Sequence, residues 1–252
     1  MKMSNEMIEF WEHQYLEQIY YLLSIDKKKM IDGFNTKEDI KNDWIEFLGK
    51  ETSDFATGSE RIFYWLFNQF GIPNSSPIGS DMFFETYNAY VHIDIKTVTT
   101  KNIGDFKRNI FVSANQTSYI GEIKTKTYTI PYKGHLPTFY NKSDGRKKVC
   151  LTYFICILYN ADDLSIQSII ITCMPNGELS EIYEPLKTLN AGKNPDGNKV
   201  RYNFTNCKYF ELLEDKPLRT KVLIWNPSEE NETKLKEIQE IYEEQNMKKE
   251  YI

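Results

Sequence analysis

Asp81, Asp94 and Lys96 have the types and spacing for hydrolysis of a phosphodiester. The run Tyr90-Val91-His92-Ile93-Asp94-Ile95-Lys96-Thr97-Val98 alternates as a strand does. Val91, Ile93, Ile95 and Thr97 face one way; His92, Asp94, Lys96 and Val98 face the other. Asp94 and Lys96 therefore lie side by side. Asp81 sits in an earlier strand-like run, Ser80 to Glu85, and Thr86-Tyr87-Asn88-Ala89 suits a hairpin turn between the two. A hairpin with Asp81 opposite Asp94 makes a two-carboxylate site for a hard divalent cation, Mg²⁺ with Mn²⁺ as its expected substitute. The Ile95 backbone carbonyl offers a third oxygen. The ion would polarise the scissile phosphate. The Lys96 ammonium would orient the attacking water and stabilise the charge that builds around phosphorus.

The acid–any–Lys pattern is not selective by itself. It occurs seven times, at Asp26, Asp39, Asp94, Asp105, Glu122, Glu214 and Glu232. Only Asp94 and Glu122 fall in strand-like runs, and only Asp94 has apolar neighbours, an acid at hairpin distance and a helix before that. Glu122-Ile123-Lys124 is the reserve site. Glu85 is a second choice for the hairpin acid but lies nearer the turn. His92 shares the parity of Asp94 and reads as a satisfied sheet residue rather than a ligand. The plain structural counterparts are a solvent-facing strand pair for Asp94 and Lys96, and a turn residue after Gly79 for Asp81.

Helices must come before this hairpin. Residues 2–24 read as one, with Met7, Phe10, Trp11, Tyr15, Ile19 and Leu22 at helical spacing. A second runs from Thr36 to about Leu48, and a third from Thr57 or Ser59 to Phe70, stopped by Gly71 and Pro73. Strands are expected at 109–113, 124–130, 148–159 and 165–174, the last two joined through Asn160–Asp163, then at 200–204 and 220–225. A helix from about Ser228 to Met247 closes the chain, with Leu235, Ile238, Ile241 and Tyr242 on one face. This order predicts an α/β (α+β) fold with a mixed sheet flanked by helices. It reads as a single domain: an N-terminal helical segment at 1–52, a catalytic core at 57–130, and the remaining sheet, contact loops and closing helix at 131–252.

From about Thr57 to Tyr119 the arrangement resembles the PD-(D/E)xK nuclease superfamily, and within it the type II restriction endonucleases. In that family a helix carrying a glutamate precedes the hairpin. Gly58 to Leu66 fills that place, which implies that Glu60 completes the cation shell, directly, through water, or by positioning Lys96. As a structural residue Glu60 is equally an acid favoured by a helix N-terminus. Ser80 stands where the family has proline. Asn115-Gln116-Thr117-Ser118-Tyr119 resembles the polar DNA-facing segment after the catalytic strand. The resemblance implies Mg²⁺-dependent hydrolysis of duplex DNA at a short specific sequence, with a 5′-phosphate left. A palindromic site would imply a homodimer, and a cognate DNA methyltransferase is the expected genetic partner. Two other readings remain open: a structure-selective repair or recombination nuclease, and a catalytically silent DNA-binding module.

Charge follows the same division. The chain has 252 residues, net charge −5, 40% hydrophobic and 27% charged residues. Residues 101–150 hold ten basic and three acidic residues, whereas residues 1–60 hold seven basic and thirteen acidic ones. A basic segment directly after the acid hairpin suits a polyanion track, with Lys101 and Arg108 as candidate DNA contacts. Asn115 and Gln116 have the amides that read adenine, and Ser118 and Tyr119 have hydroxyls for phosphates. Lys193, Arg201 and Asn203 belong to a second polar-basic cluster, in which Arg201 suits guanine. The four cysteines form no CxxC, so buried thiols are expected rather than zinc or disulfides. No run is long and apolar enough for a membrane helix, and the N-terminus lacks a signal-like core, so a cytoplasmic protein without membrane contact is expected.

Overall fold

Ser4 opens the first helix, α1 (Asn5–Ile25), by accepting the Met7 N–H at 3.3 Å. The structure is a computed structural model and describes residues 3–39, 43, 46, 55–68, 70–73, 79–107, 109–124, 127–183, 189–191, 200–203 and 219–247. The buried stripe of α1 is Ile8, Tyr15, Leu16, Ile19 and Leu23, and Glu9 and Glu12 face inward with it. Met7 and Phe10, expected on the inner face, are exposed. Tyr15 and Ile19 are buried as expected; the first turns are misjudged because two carboxylates occupy part of the inner face there.

Their partner is Arg219, which is 2% exposed. Its Nη2 lies 2.5 Å from Glu12 and 3.5 Å from Glu9. Tyr183 donates its hydroxyl to Glu9, Asn176 donates its backbone N–H to Glu12 at 2.6 Å, and Tyr153 donates to the Glu12 carbonyl at 2.8 Å. Burial raises the Glu12 carboxyl above its usual range, against the pull of Arg219. This knot ties α1 to residues far along the chain.

Helix α2 (Lys27–Asp39) overlaps the expected second helix, Thr36 to about Leu48, only at 36–39; beyond these only Asp43 and Glu46, both helical, are described, and the rest lies outside the described residues. The core contacts of α2 are the buried Met30 and Phe34, one turn apart, with Ile31 partly buried beside them, too few for a periodic signal. Helix α3 (Phe55–Leu66) buries Ser59 and Phe63 and packs against the third strand.

Strands β1 (Ile72–Pro73), β2 (Met82–Glu85) and β3 (Ala89–Thr99) run antiparallel in succession. The chain then leaves the sheet through α4 (Gly104–Lys107), β4 (Asn109–Val112), β5 (Ile120–Lys124), β6 (Thr129–Lys133) and β7 (Phe139–Asn141). It returns in β8 (Lys147–Tyr159), parallel to β3, with Asp94 across from Phe154 and Lys96 across from Cys156. β9 (Ile166–Met174) follows by a hairpin, as expected. The turn at 160–165 holds Leu164 at φ 65°. Of the expected strand at 124–130, Lys124 ends β5 and Thr129 and Ile130 begin β6, with Lys124 paired to Thr129 across the hairpin; residues 125 and 126 lie outside the described residues.

After α5 (Ser180–Tyr183), strands β10 (Leu189–Ala191) and β11 (Val200–Asn203) join β4 in a separate three-stranded sheet. β12 (Thr220–Trp225) completes the main sheet in the order β1-β2-β3-β8-β9-β12, with β7 also on β8. This is the mixed sheet flanked by helices that the sequence predicts. β8 and β9 are buried almost end to end because both faces are covered. The closing helix is interrupted: α6 (Glu229–Glu232), a 3₁₀ turn at Thr233–Leu235, then α7 (Lys236–Met247). From α7, Gln245 bonds both the N–H and the carbonyl of Val222, beside the register shift in β12. Among the described residues no helix is long and apolar enough to cross a membrane.

Candidate active site

The turn between the two acidic strands forms where the residue types put it. Thr86 donates its N–H to the Ala89 carbonyl at 2.9 Å, and Glu85 pairs with Tyr90. The register runs Phe84↔Val91, Phe83↔His92, Met82↔Ile93. One more step sets Asp81, just outside β2, across from Asp94. Ile95 lies beyond the end of β2, and its N–H is taken by the Asp81 carboxylate at 2.6 Å. Asp81 is thereby fixed with one oxygen on the backbone of the very strand that carries Asp94.

Asp94 is 3% exposed, and both its oxygens have donors. Lys96 Nζ pairs with Oδ1 and the Gln116 side-chain amide donates to Oδ2. Burial pushes the Asp94 carboxyl up to about 6; the Lys96 charge opposes the rise and the Asp81 charge adds to it. Lys96 keeps one fifth of its side chain open to solvent. Its ammonium lies 5.7 Å from the Phe154 ring centre and 5.9 Å from that of Phe111, so its surroundings are apolar on two sides.

Two neighbouring carboxylates, Asp94 buried and Asp81 half-buried, with one ammonium paired to Asp94, are a donor set short of positive charge. A hard divalent cation fits that deficit. Among the described residues no three Asp, Glu, His or Cys side chains group closely enough to hold an ion. The remaining positions would fall to the Ile95 carbonyl, water and substrate oxygens. Glu60 is half-buried on α3 and is not a third direct carboxylate of such a group.

The other expectations meet different outcomes. Glu85 is occupied by Lys142 and Lys148, which hold its carboxyl down to about 2. His92 is fully buried, 3.0 Å from the Tyr140 hydroxyl and stacked on Phe83, as a satisfied sheet residue. Ser118 and Tyr119 are corrected: both are buried. The Ser118 hydroxyl accepts the Gly177 N–H at 3.0 Å, and the Tyr119 ring sits in the core. They lack the exposure a phosphate contact needs. Gln116 is corrected as well. Its amide is engaged at both ends, on Asp94 and on the Ser113 N–H at 2.9 Å, and is not free to read a base.

Asn115 is exposed. Lys101 is exposed and pairs with equally exposed Asp162 at 3.2 Å, a contact of little strength. Arg201 and Asn203 lie on β11, opposite Phe111 and Asn109 of β4. Arg108 and Lys193 lie outside the described residues. The basic segment coincides with the excursion between β3 and β8, although Lys142, Lys148 and Arg146 spend their charge on Glu85 and Asp144. The thiols of Cys150, Cys156 and Cys173 are buried and form no disulfide.

Residues 4–163 match the family model described as "Type II restriction enzyme MwoI, N-terminal domain", and residues 166–225 match that of the "central domain" of the same enzyme. No curated protein sequence matches the chain at a significant level. Among the solved structures that match are two restriction endonucleases that share its fold. The restriction endonuclease BglI, bound to its DNA recognition sequence, has TM-score 0.64 and 15% identity, over 86% of this chain and 90% of that one. Tetrameric restriction endonuclease SfiI, bound to cognate DNA, has TM-score 0.65 and 15% identity, over 89% of this chain and 87% of that one. The mixed sheet with flanking helices is therefore a fold that restriction endonucleases use.

Proposed function

We propose how this chain, which belongs to the MwoI family of type II restriction enzymes and is therefore a site-specific deoxyribonuclease, cuts its substrate. Divalent-metal dependence is general in such enzymes, and we assign Mg²⁺, with Mn²⁺ as substitute, on the oxygen-only donor set. Asp81 and Asp94 hold the ion, and the Ile95 carbonyl supplies a third oxygen. When bound, the ion supplies Lewis-acid polarisation of the scissile phosphate. Lys96 does the rest of the electrostatic work. Its ammonium, set against Asp94 and two aromatic rings, orients the attacking water and stabilises the charge of the in-line transition state. Displacement leaves a 5′-phosphate and a 3′-hydroxyl. Glu60 acts through water or by positioning Lys96.

The carrying observation is the register that sets Asp81 across from Asp94, with Lys96 on Asp94. The test is cleavage of plasmid DNA. Discrete fragments should appear with Mg²⁺, vanish in EDTA, and be absent for Asp94→Ala, which should still fold. Near-normal cleavage by that variant would move the site to Glu122-Ile123-Lys124.

DNA contacts are assigned to Lys101, Arg108, Asn115, Lys193, Arg201 and Asn203. Support comes from the basic balance of the excursion and from the pairing of β11 with the strand that leads to the site. Each chain has one such centre and a duplex needs two cuts, which supports a homodimer. A nuclease of this specificity needs a methyltransferase to protect resident DNA, and its substrate places it in the cytoplasm. We read residues 1–252 as one nuclease domain, because one sheet takes strands from both sides of the boundary between the matched segments.

A further inference from the structure

A four-residue turn supports both acids. Ser113 to Gln116 follows β4, and the Ser113 hydroxyl and Gln116 side chain close it in a reciprocal capping box. The turn is pinned from outside: His135 donates its N–H to the Ala114 carbonyl at 2.7 Å. Gly79, two residues before Asp81, has φ +67°, and a β-carbon there would collide with the Asn115 carbonyl oxygen. The backbone of the turn thus walls the approach to Asp81, while its last side chain reaches Asp94.

We propose that Gln116 is a positioning residue for the catalytic carboxylate, fixing the plane of Asp94 so that one lone pair on each oxygen stays available to the cation. The Ser113 N–H occupies Gln116 Oε1, which leaves only the Nε2 end to face Asp94 and rules out a flipped amide. Lys96 holds the other oxygen. Each oxygen then has one donor, and carboxylate oxygens accept two. Rotation of the carboxylate would break two bonds at once. An amide suits the task because it is neutral: it orients Asp94 without cancelling the charge that attracts the ion, as a second lysine would. This inference rests on Asp81 and Asp94 being the cation ligands.

The test measures Mn²⁺ bound to the enzyme–DNA complex by electron paramagnetic resonance, beside cleavage rates over a range of Mg²⁺. Gln116→Met keeps length and loses both bonds. It should weaken Mn²⁺ binding about tenfold or more and shift the Mg²⁺ needed for half-maximal rate in proportion. The rate at saturating Mg²⁺ should fall much less. Ser113→Pro fits the observed φ of −75° and ψ of 152°. It removes the N–H that orients the amide, should act in the same direction by a smaller factor, and serves if Gln116→Met does not fold. Unchanged or tighter Mn²⁺ binding in these variants overturns the proposal. Asp94→Ala is the separate control: if it binds Mn²⁺ normally, the cation site itself is misassigned, whatever Gln116 does.

Discussion

Two buried acid–base clusters among the described residues are built to opposite ends. Around Arg219, two carboxylates, a tyrosine and a backbone N–H enclose one guanidinium, and all three charged side chains are at most 3% exposed. Around Asp94, the ammonium of Lys96 is partly open, the second acid comes from a neighbouring loop, and an amide takes the place of a further cation. Both have a carboxyl raised by burial. Burial and pairing therefore do not mark a reaction centre in this fold. Access for solvent, and carboxylates short of positive charge where solvent reaches, distinguish the second cluster from the first.

The comparison breaks most sharply at Arg219. Arg219→Ala leaves Glu9 and Glu12 buried without their cation and should cost about 3–5 kcal/mol of stability. Urea denaturation reads this directly, and a loss under 1 kcal/mol would make the knot ornamental. Lys96→Ala should do the reverse. Stability should fall less, because the head is partly solvated and Gln116 still holds Asp94, while cleavage should slow by about 2.7–4 kcal/mol of transition-state energy. Single-turnover rates with DNA binding measured separately in Ca²⁺ decide this; equal losses in binding and rate would reassign Lys96 to DNA positioning.

The smallest expected effect is a pH slope. The Asp94 carboxyl titrates near 6 when folded, above its usual 3.8. A raised carboxyl favours the folded state when protonated, so its contribution is full below about pH 4 and lost as pH rises through 6. In EDTA, wild type should therefore lose up to about 3 kcal/mol relative to Asp94→Asn between pH 4 and pH 7.5. Parallel stability curves for the two proteins would show that Asp94 is not desolvated as described.

Much of this was legible in the sequence where the signal is local. The β8 and β9 strands are continuous apolar runs, and the Thr86–Ala89 turn has turn-forming residues between strand-like flanks. The register then follows by counting, which is why Asp81 and Asp94 could be paired in advance. What escaped depends on partners remote in sequence. Glu9 and Glu12 turn inward with Arg219 as their partner, so helical periodicity, right for Tyr15 and Ile19, misplaced Met7 and Phe10. Gln116 looks like a DNA-reading amide until β3 is seen behind it. Tyr119, polar in its neighbours, is a core residue because Gly177 and Gly134 let other backbones close over that segment.

The Arg219 knot also sets an order of events during synthesis. Every residue assigned to the reaction centre, from Glu60 to Gln116, leaves the ribosome about 100 residues before Arg219 does. Until then the inner face of α1 carries two carboxylates without their guanidinium, and docking it would bury bare charge at a cost of several kcal/mol. The nascent chain thus has its cutting residues early but lacks the clasp that closes α1 over β9 and β12. The clasp on α1 therefore closes only once Arg219, the residue before β12, has been made.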